Sequence, residues 1–335
     1  MKKSSSRQLF DYVTGYQISQ AIFAANELSV AEYLVDGPVA ITQLAEALSV
    51  DSKVLARLLR LLASIGIFEE TAKDVFGLTD LSQCLRKDHP DSLYYAIHNH
   101  THINYSAWSN LIDSLKTGNN AFKSYYHQSY FDYLKAHDVH NRSFNNYMKQ
   151  RSQFYVQGIV AAYDFKEAQV LMDVGGGHGH ILLEILNNNA GMKGILFDQA
   201  HVLADAKKSN PELESQCTLV AGSFFDPLPS TDADSIFMKH ILHDWPDADC
   251  VNILTNCYNA LPKNGHIIIA ETVIENCSNN QATEAKSLDM HMHILFSAQE
   301  RTIDEFNALF EQTGFKLKRV VKTETMMSVL VAQKC

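Results

Sequence analysis

"DVGGGHGH" occupies residues 173–180, directly after the apolar run "QVLMDV" (169–174) and directly before a helical pattern. Glycines at a strand-to-helix turn let the backbone bend tightly and approach a ligand, and the first free N–H groups of a helix point out of its end. A dinucleotide-binding turn would read G-x-G-x-x-G. Counted from Gly175, the third glycine should stand at 180, which is His180; counted from Gly177, it should stand at 182, which is Leu182. The hydride-transfer reading is weakened accordingly. The spacing is instead D-x-G-x-G-x-G, through Asp173, Gly175, Gly177 and Gly179. Nineteen residues after Gly179 a second apolar run, "GILFD", ends at Asp198, where an acid can accept hydrogen bonds from two ribose hydroxyls. The stretch predicts a nucleoside site at the carboxyl ends of parallel strands.

Outward from the turn, short apolar runs alternate with helical patterns: "CTLVAG" (217–222), "SIFMKHIL" (235–242) and "HIIIAETV" (266–273). Runs this apolar suit strands buried on both faces, and strand-helix alternation predicts a parallel sheet. "FKLKRVVKT" and "MSVLVAQ" close the chain as an antiparallel hairpin at the sheet edge. The expected fold is α/β, a Rossmann-like, doubly wound, mostly parallel seven-stranded sheet. The first half reads differently. Residues 9–35 are one long, mostly apolar segment stopped at Asp36-Gly37-Pro38. Residues 40–70 carry two short helices, the second capped at Asp51 or Ser52 and presenting Leu55, Leu58, Leu59 and Leu62 on one face. With a small hairpin in 75–85 they make a winged helix-turn-helix pattern. The composition shift near 150–168 divides a helical domain, 1–150, from the α/β domain, 151–335.

The 335 residues are 46% apolar and 20% charged, as a folded globular chain requires. A net charge of −10 opposes a nucleic-acid partner, and no run approaches the ~20 apolar residues of a membrane span. The start, "MKKSSSRQLFDYV", has no apolar core following its basic residues, so no secretory signal is expected. Cys84, Cys217, Cys250, Cys257, Cys277 and Cys335 are scattered without a CxxC pair and read as reduced thiols of a cytoplasmic protein.

In succession, "DVGGGHG", "GSFFDPLP", "MKHILHDW", "AET" and "QERT" make the chain resemble the class I S-adenosylmethionine-dependent methyltransferases. More narrowly, it is similar to the two-domain small-molecule O-methyltransferases, plant caffeate-type and bacterial natural-product enzymes among them. The resemblance spans nearly the whole chain. It implies S-adenosyl-L-methionine as cofactor, no metal, and a turn at Gly175 and Gly177 holding the methionine part, with Asp198 on the ribose. The family commonly has Gly-Asp after the third strand; here Gly222-Ser223 stands instead, so the adenine contact passes to Ser223 without charge assistance while Phe224 covers the ring. Lys239 matches a lysine near the cofactor, and Ser152 a cofactor contact from the helix joining the domains. The N-terminal domain, by the same resemblance, is a dimerisation module, which implies a homodimer.

His243, at the end of the fourth strand, then has a chemical task. A hydroxyl is a poor nucleophile while protonated, and an imidazole with a pKa near 6.5 can take its proton. Two acids match family positions flanking the base: Glu271 is expected as its first partner and Glu300 as its second, with Asp244 orienting the loop or capping the next helix. A metal held by His240, His243 and Asp244 is disfavoured, because strand residues three apart point to opposite faces. The i,i+2 histidines of "HNHTHI" (98–103) and of 291–293 likewise fail to align if helical. Met148, Phe154, Tyr155 and His293 are candidate acceptor-pocket residues. Two rivals stay open: a relative using the cofactor for another reaction or for N- or C-methylation, and a winged-helix DNA-binding regulator. The acceptor is expected to be a small aromatic hydroxyl compound.

Overall fold

The structure, a computed structural model, describes residues 4–275 and 284–335. The chain divides into two compact units: residues up to Lys116 with Phe122–Lys149, and Thr117–Ala121 with Gln150–Cys335. The helix Asp138–Ala162 contains the second boundary.

In the first unit, the apolar segment 9–35 is not one helix. It breaks into Ser5–Val13, Gly15–Glu27 and a short 3-10 turn, Val30–Leu34, where Ser29 takes a left-handed φ of 53°. Helices Ile41–Leu48 and Ser52–Ala63 follow, the latter capped as expected by Asp51, whose carboxylate accepts the Val54 N–H at 2.9 Å. Such a cap contributes about 1 kcal/mol. Leu55, Leu59 and Leu62 are buried and Leu58 packs beside them. Strands β1 (Val39–Ala40), β2 (Phe68–Ala72) and β3 (Val75–Leu78) form a small antiparallel sheet in the order β1-β3-β2. The wing hairpin expected in 75–85 lies earlier, β2 pairing with β3, and Asp80–Gln83 is already helical. Arg60, on the helix Ser52–Ala63, is paired with Asp74 and Glu70.

The second unit is a single large sheet. Its strands are β4 (Val170–Val174), β5 (Lys193–Asp198), β6 (Thr218–Ala221), β7 (Ser235–Lys239), β8 (His266–Ile274), the two-residue β9 (Arg301–Thr302), β10 (Phe315–Lys322) and β11 (Met327–Lys334). Seven run in the order β10-β11-β8-β7-β4-β5-β6, and β9 adds a short parallel pairing to the end of β8. β4 through β8 are parallel; β11 lies antiparallel to β8, and β10 antiparallel to β11. Alternate residues feed two cores. Met172, Ile195, Phe197, Met238 and Ile267 pack on one face, and Leu171, Leu196, Phe237 and Ile268 on the other. This explains why the strands read as continuous apolar runs rather than alternating ones. Among the described residues no helix is long and apolar enough to cross a membrane.

The chain winds outward from β4 to β6, then returns to lay β7 and β8 on the other side of β4. That reversal opens a crevice at the carboxyl ends of β4 and β7, where open α/β sheets bind their ligands. The glycine turn leaves β4 there, and the stretch Lys239–His243 leaves β7.

Candidate active site

The glycine turn is built by three positive φ values: +72° at Gly175, +58° at Gly177 and +76° at Gly179. Only glycine takes these freely. The Gly175 N–H donates to the Phe197 carbonyl at 2.8 Å, tying the turn to the end of β5. Asp198 closes the other side, its carboxylate accepting the Gly177 N–H at 2.8 Å and the Gln199 N–H at 2.7 Å. A Cβ at Gly175 would overlap Ile241, and one at Gly176 would overlap Asp173 and Leu196, whereas one at Gly177 would meet nothing within 4 Å. The turn is therefore packed hard on its protein side and open at Gly177. With a carboxylate at the next strand end and helix His180–Asn188 beginning behind it, this donor and acceptor set fits a nucleoside with a charged amino-acid end.

Phe224 stands within 3.6 Å of where a Gly175 Cβ would be, edge-on to Trp245 at 6.1 Å. Ser223 is half-buried, but its hydroxyl accepts the Phe225 N–H at 3.2 Å, so part of its capacity is used within the loop. Lys239 is half-buried at the end of β7. Burial lowers its pKa, while Asp173 and Glu271 pull it back up. Asp173 is 1% exposed, and burial, with Asp198 adding, pushes its carboxyl up to about 7 against the attraction of Lys239. Its Oδ2 has no hydrogen-bond partner.

β7 ends at Lys239, and His243 lies in the 3-10 turn Leu242–Asp244 that follows. The order of its two acid partners is the reverse of the sequence expectation. Glu300 Oε1 is 3.0 Å from His243 Nδ1, a hydrogen bond, whereas the nearest Glu271 oxygen is 3.8 Å away. Glu271 spends its other oxygen on the backbone, accepting the N–H groups of Ile241 at 3.0 Å, Leu242 at 2.9 Å and His243 at 3.4 Å. It holds the loop, and Glu300 holds the ring. Asp244 is exposed and places Oδ1 3.5 Å from His243 Nε2. Burial alone would lower the His243 pKa, but the field of Glu271, Glu300 and Asp244 outweighs it and raises the value to about 9. Glu271 is raised to about 7, by burial first, with Glu300 and Asp244 adding to it and His243 opposing.

The opposite-faces argument for His240 and His243 does not survive, because the strand stops before His240. His240 has a left-handed φ of 55°, and the fold-back stacks its ring on His243 with centroids 4.8 Å apart and 11° between planes. Among the described residues, the group whose ligand atoms converge is instead His243, Glu271 and Glu300, within 4.8 Å of one another. In the first unit, His98 and His102 are four apart, not two, and stack at 5.7 Å beside His140; His98 also contacts Glu27 at 2.6 Å.

Of the expected pocket residues, Tyr155 is buried and meets His240 edge-on at 5.4 Å. Phe154 is 61% exposed, on a surface groove with Lys322 and Thr325 rather than beside the histidine. Ser152 and His293 are half-buried in the second unit, and Met148 is half-buried in the first. Sequence reasoning missed Arg301. Its fully buried guanidinium donates to the Leu242 carbonyl at 2.7 Å, the Trp245 carbonyl at 2.8 Å and the Asp247 carboxylate at 2.7 Å, bracketing the His243 turn. The available signal was a cation beside Glu300 in "QERT", next to an apolar helix.

A cofactor turn and a buried acid-paired histidine at one sheet edge define a group-transfer enzyme of the nucleoside-cofactor α/β class. A family model described as the O-methyltransferase domain matches residues 108–316, and one described as the O-methyltransferase dimerisation domain matches residues 10–88. The chain belongs to the S-adenosylmethionine-dependent O-methyltransferase family, and it is an enzyme of that kind acting on small molecules. It is 37% identical over 327 residues to the phenazine O-methyltransferase PhzM of Lysobacter antibioticus, covering 97% of this chain and 95% of that one. The crystal structure of LaPhzM superposes with a TM-score of 0.86 at 36% identity, over 99% of this chain and all of that one. CalO1, a methyltransferase of calicheamicin biosynthesis solved in its SAH-bound form, does so with a TM-score of 0.85 at 32% identity over the full length of both.

Proposed function

We propose that this enzyme methylates an aromatic hydroxyl of a small molecule, with His243 as general base. The observation that carries the reading is the hydrogen bond from His243 Nδ1 to Glu300, which fixes the tautomer and leaves Nε2 to receive a proton. When bound, S-adenosylmethionine would supply a methyl group on a sulfonium, open to direct displacement, its sulfur leaving with the C–S electron pair as the neutral thioether of S-adenosylhomocysteine. Gly175 and Gly177 would hold its amino-acid end with Lys239 and Ser152, Asp198 its ribose, and Ser223 and Phe224 its adenine. His243 Nε2 takes the proton from the acceptor oxygen as that oxygen attacks. The imidazolium so formed lies among Glu300, Glu271 and Asp244, whose field already favours it. The Lysobacter relative's named acceptor is a phenazine, so a flat hydroxylated aromatic is the first class to try. The dimerisation-domain match and the exposed Leu9, Phe10, Tyr12 and Val13 on helix Ser5–Val13 support a homodimer.

Incubation with labelled methyl donor and a panel of hydroxyphenazines and phenols tests the assignment. His243→Ala should lower kcat by roughly 10²–10⁴-fold, the usual span of general-base catalysis. A variant as fast as wild type would end the mechanism. A cation at His243, Glu271 and Glu300 is the second reading that geometry permits. It would take Nδ1 from Glu300, so dialysis against EDTA separates the two: the base mechanism expects full activity afterwards, the cation reading a loss.

A further inference from the structure

We infer that His240 is a positioning residue for the base, its ring serving as the flat wall that sets the plane of His243; the inference rests on His243 acting as the base. A single hydrogen bond from Nδ1 to Glu300 fixes one edge of the imidazole but leaves it free to rock about the Nδ1–Oε1 line. A parallel ring on its face removes that freedom, and His240 supplies one at 4.8 Å and 11°. The wall is itself braced. Tyr155, 3% exposed, meets His240 edge-on at 5.4 Å, and the Tyr155 hydroxyl accepts a hydrogen bond from Arg151 Nε at 3.0 Å. The line Arg151–Tyr155–His240–His243–Glu300 thus clamps the base between the helix Asp138–Ala162 and the segment bearing Glu300.

Three further observations fit a wall rather than a second base. His240 Nε2 is buried and has no hydrogen-bond partner, so that nitrogen contributes no bond to holding the ring. Burial, Lys239, His243 and Arg151 all push the His240 pKa well down, which keeps the ring neutral beside an imidazole that must accept charge. A neutral π face is also compatible with the imidazolium formed during turnover. Finally, the left-handed backbone at His240, a conformation that side chains seldom take, is what folds residue 240 back over residue 243.

The test compares His240→Ala, His240→Gly and His240→Phe with wild type and with His243→Gln, on a hydroxyphenazine and on its more acidic ring-nitrated analogue. Glycine guards against backbone strain that alanine would suffer. Loss of the wall should lower kcat roughly tenfold with KM little changed, less than the roughly 10²-fold of a full 1 Å misplacement because the Glu300 bond still holds one edge. Phenylalanine, a flat ring without the nitrogens, should restore most of the rate. The Ala and Gly defects should shrink on the acidic acceptor, which needs less help in losing its proton; a merely structural lesion would slow both acceptors alike. Wild-type kcat in the Ala and Gly variants, or a Phe variant no better than Ala, overturns the inference. If His243→Gln itself runs at full rate, the base assignment has failed, a different signature from failure at residue 240 alone.

Discussion

At the scale of single residues, the site turns on who holds what around His243. The acids around it raise its pKa to about 9, so the share of rings ready to accept a proton grows as pH climbs toward that value. The apparent kcat/KM should therefore climb from pH 7 through about 9 and level off roughly a unit higher, read from a pH–rate profile with an acceptor whose own hydroxyl titrates higher. Glu300→Gln removes one of the charges that raise the value, so the rising limb should move to lower pH while the maximal rate falls. The stability sign follows from the same shift. A raised histidine contributes stability that is complete below its unfolded value near 6.5 and lost as pH climbs through about 9. Thermal unfolding between pH 6 and 10 should show that decline, flattened in Glu300→Gln.

At the scale of elements, the turn Leu242–Asp244 is irregular backbone held by groups distant in sequence. Glu271 accepts its Leu242 and His243 N–H groups and that of Ile241 just before it, and Arg301 donates to its carbonyl at Leu242 and to Trp245 beyond it. Arg301→Met leaves the two carbonyls only the weak Cys250 thiol as donor and unpairs the exposed Asp247; a loss of about 2 kcal/mol is expected, the scale for leaving buried acceptors under-satisfied. Denaturant unfolding measures it, and a variant as stable as wild type would show the bracket to be idle. These contacts mark where sequence reading stopped. The strands and the glycine turn were legible because their signals are local: apolar runs, spaced glycines, an acid at the next strand end. The preference of His243 for Glu300 over Glu271 was not, since both acids are far away in sequence and only the loop's path ranks them. His240 was misjudged for a nearer reason. The apolar run through Leu242 hid a strand end at Lys239, and a single left-handed residue then reversed the facing of everything after it.

At the scale of the whole molecule, each unit has its own core, and the two carry different chemistry. The winged-helix pattern of the first unit matches a dimerisation domain, and its Arg60 is paired with Glu70 and Asp74. What that unit does expose is apolar: Leu9, Phe10, Tyr12 and Val13 on its first helix, with Tyr16 on the next, all more than half bare to solvent. An isolated surface residue of this kind needs no explanation, but a run on two consecutive helices points to association. Sedimentation should therefore give twice the protomer mass of 37.6 kDa, and gel shifts with random DNA at physiological salt should show no binding. Phe10→Glu with Val13→Glu puts two charges into the contact, where unpaired burial is costly, and should release monomer at micromolar concentration. Because the glycine turn and the His243 clamp are built wholly within the second unit, the released monomer should still bind S-adenosylmethionine by calorimetry. Loss of methyl transfer with that binding intact would locate the requirement for the dimer at the acceptor side of the reaction; loss of both would show that the second unit cannot hold its own site without its partner.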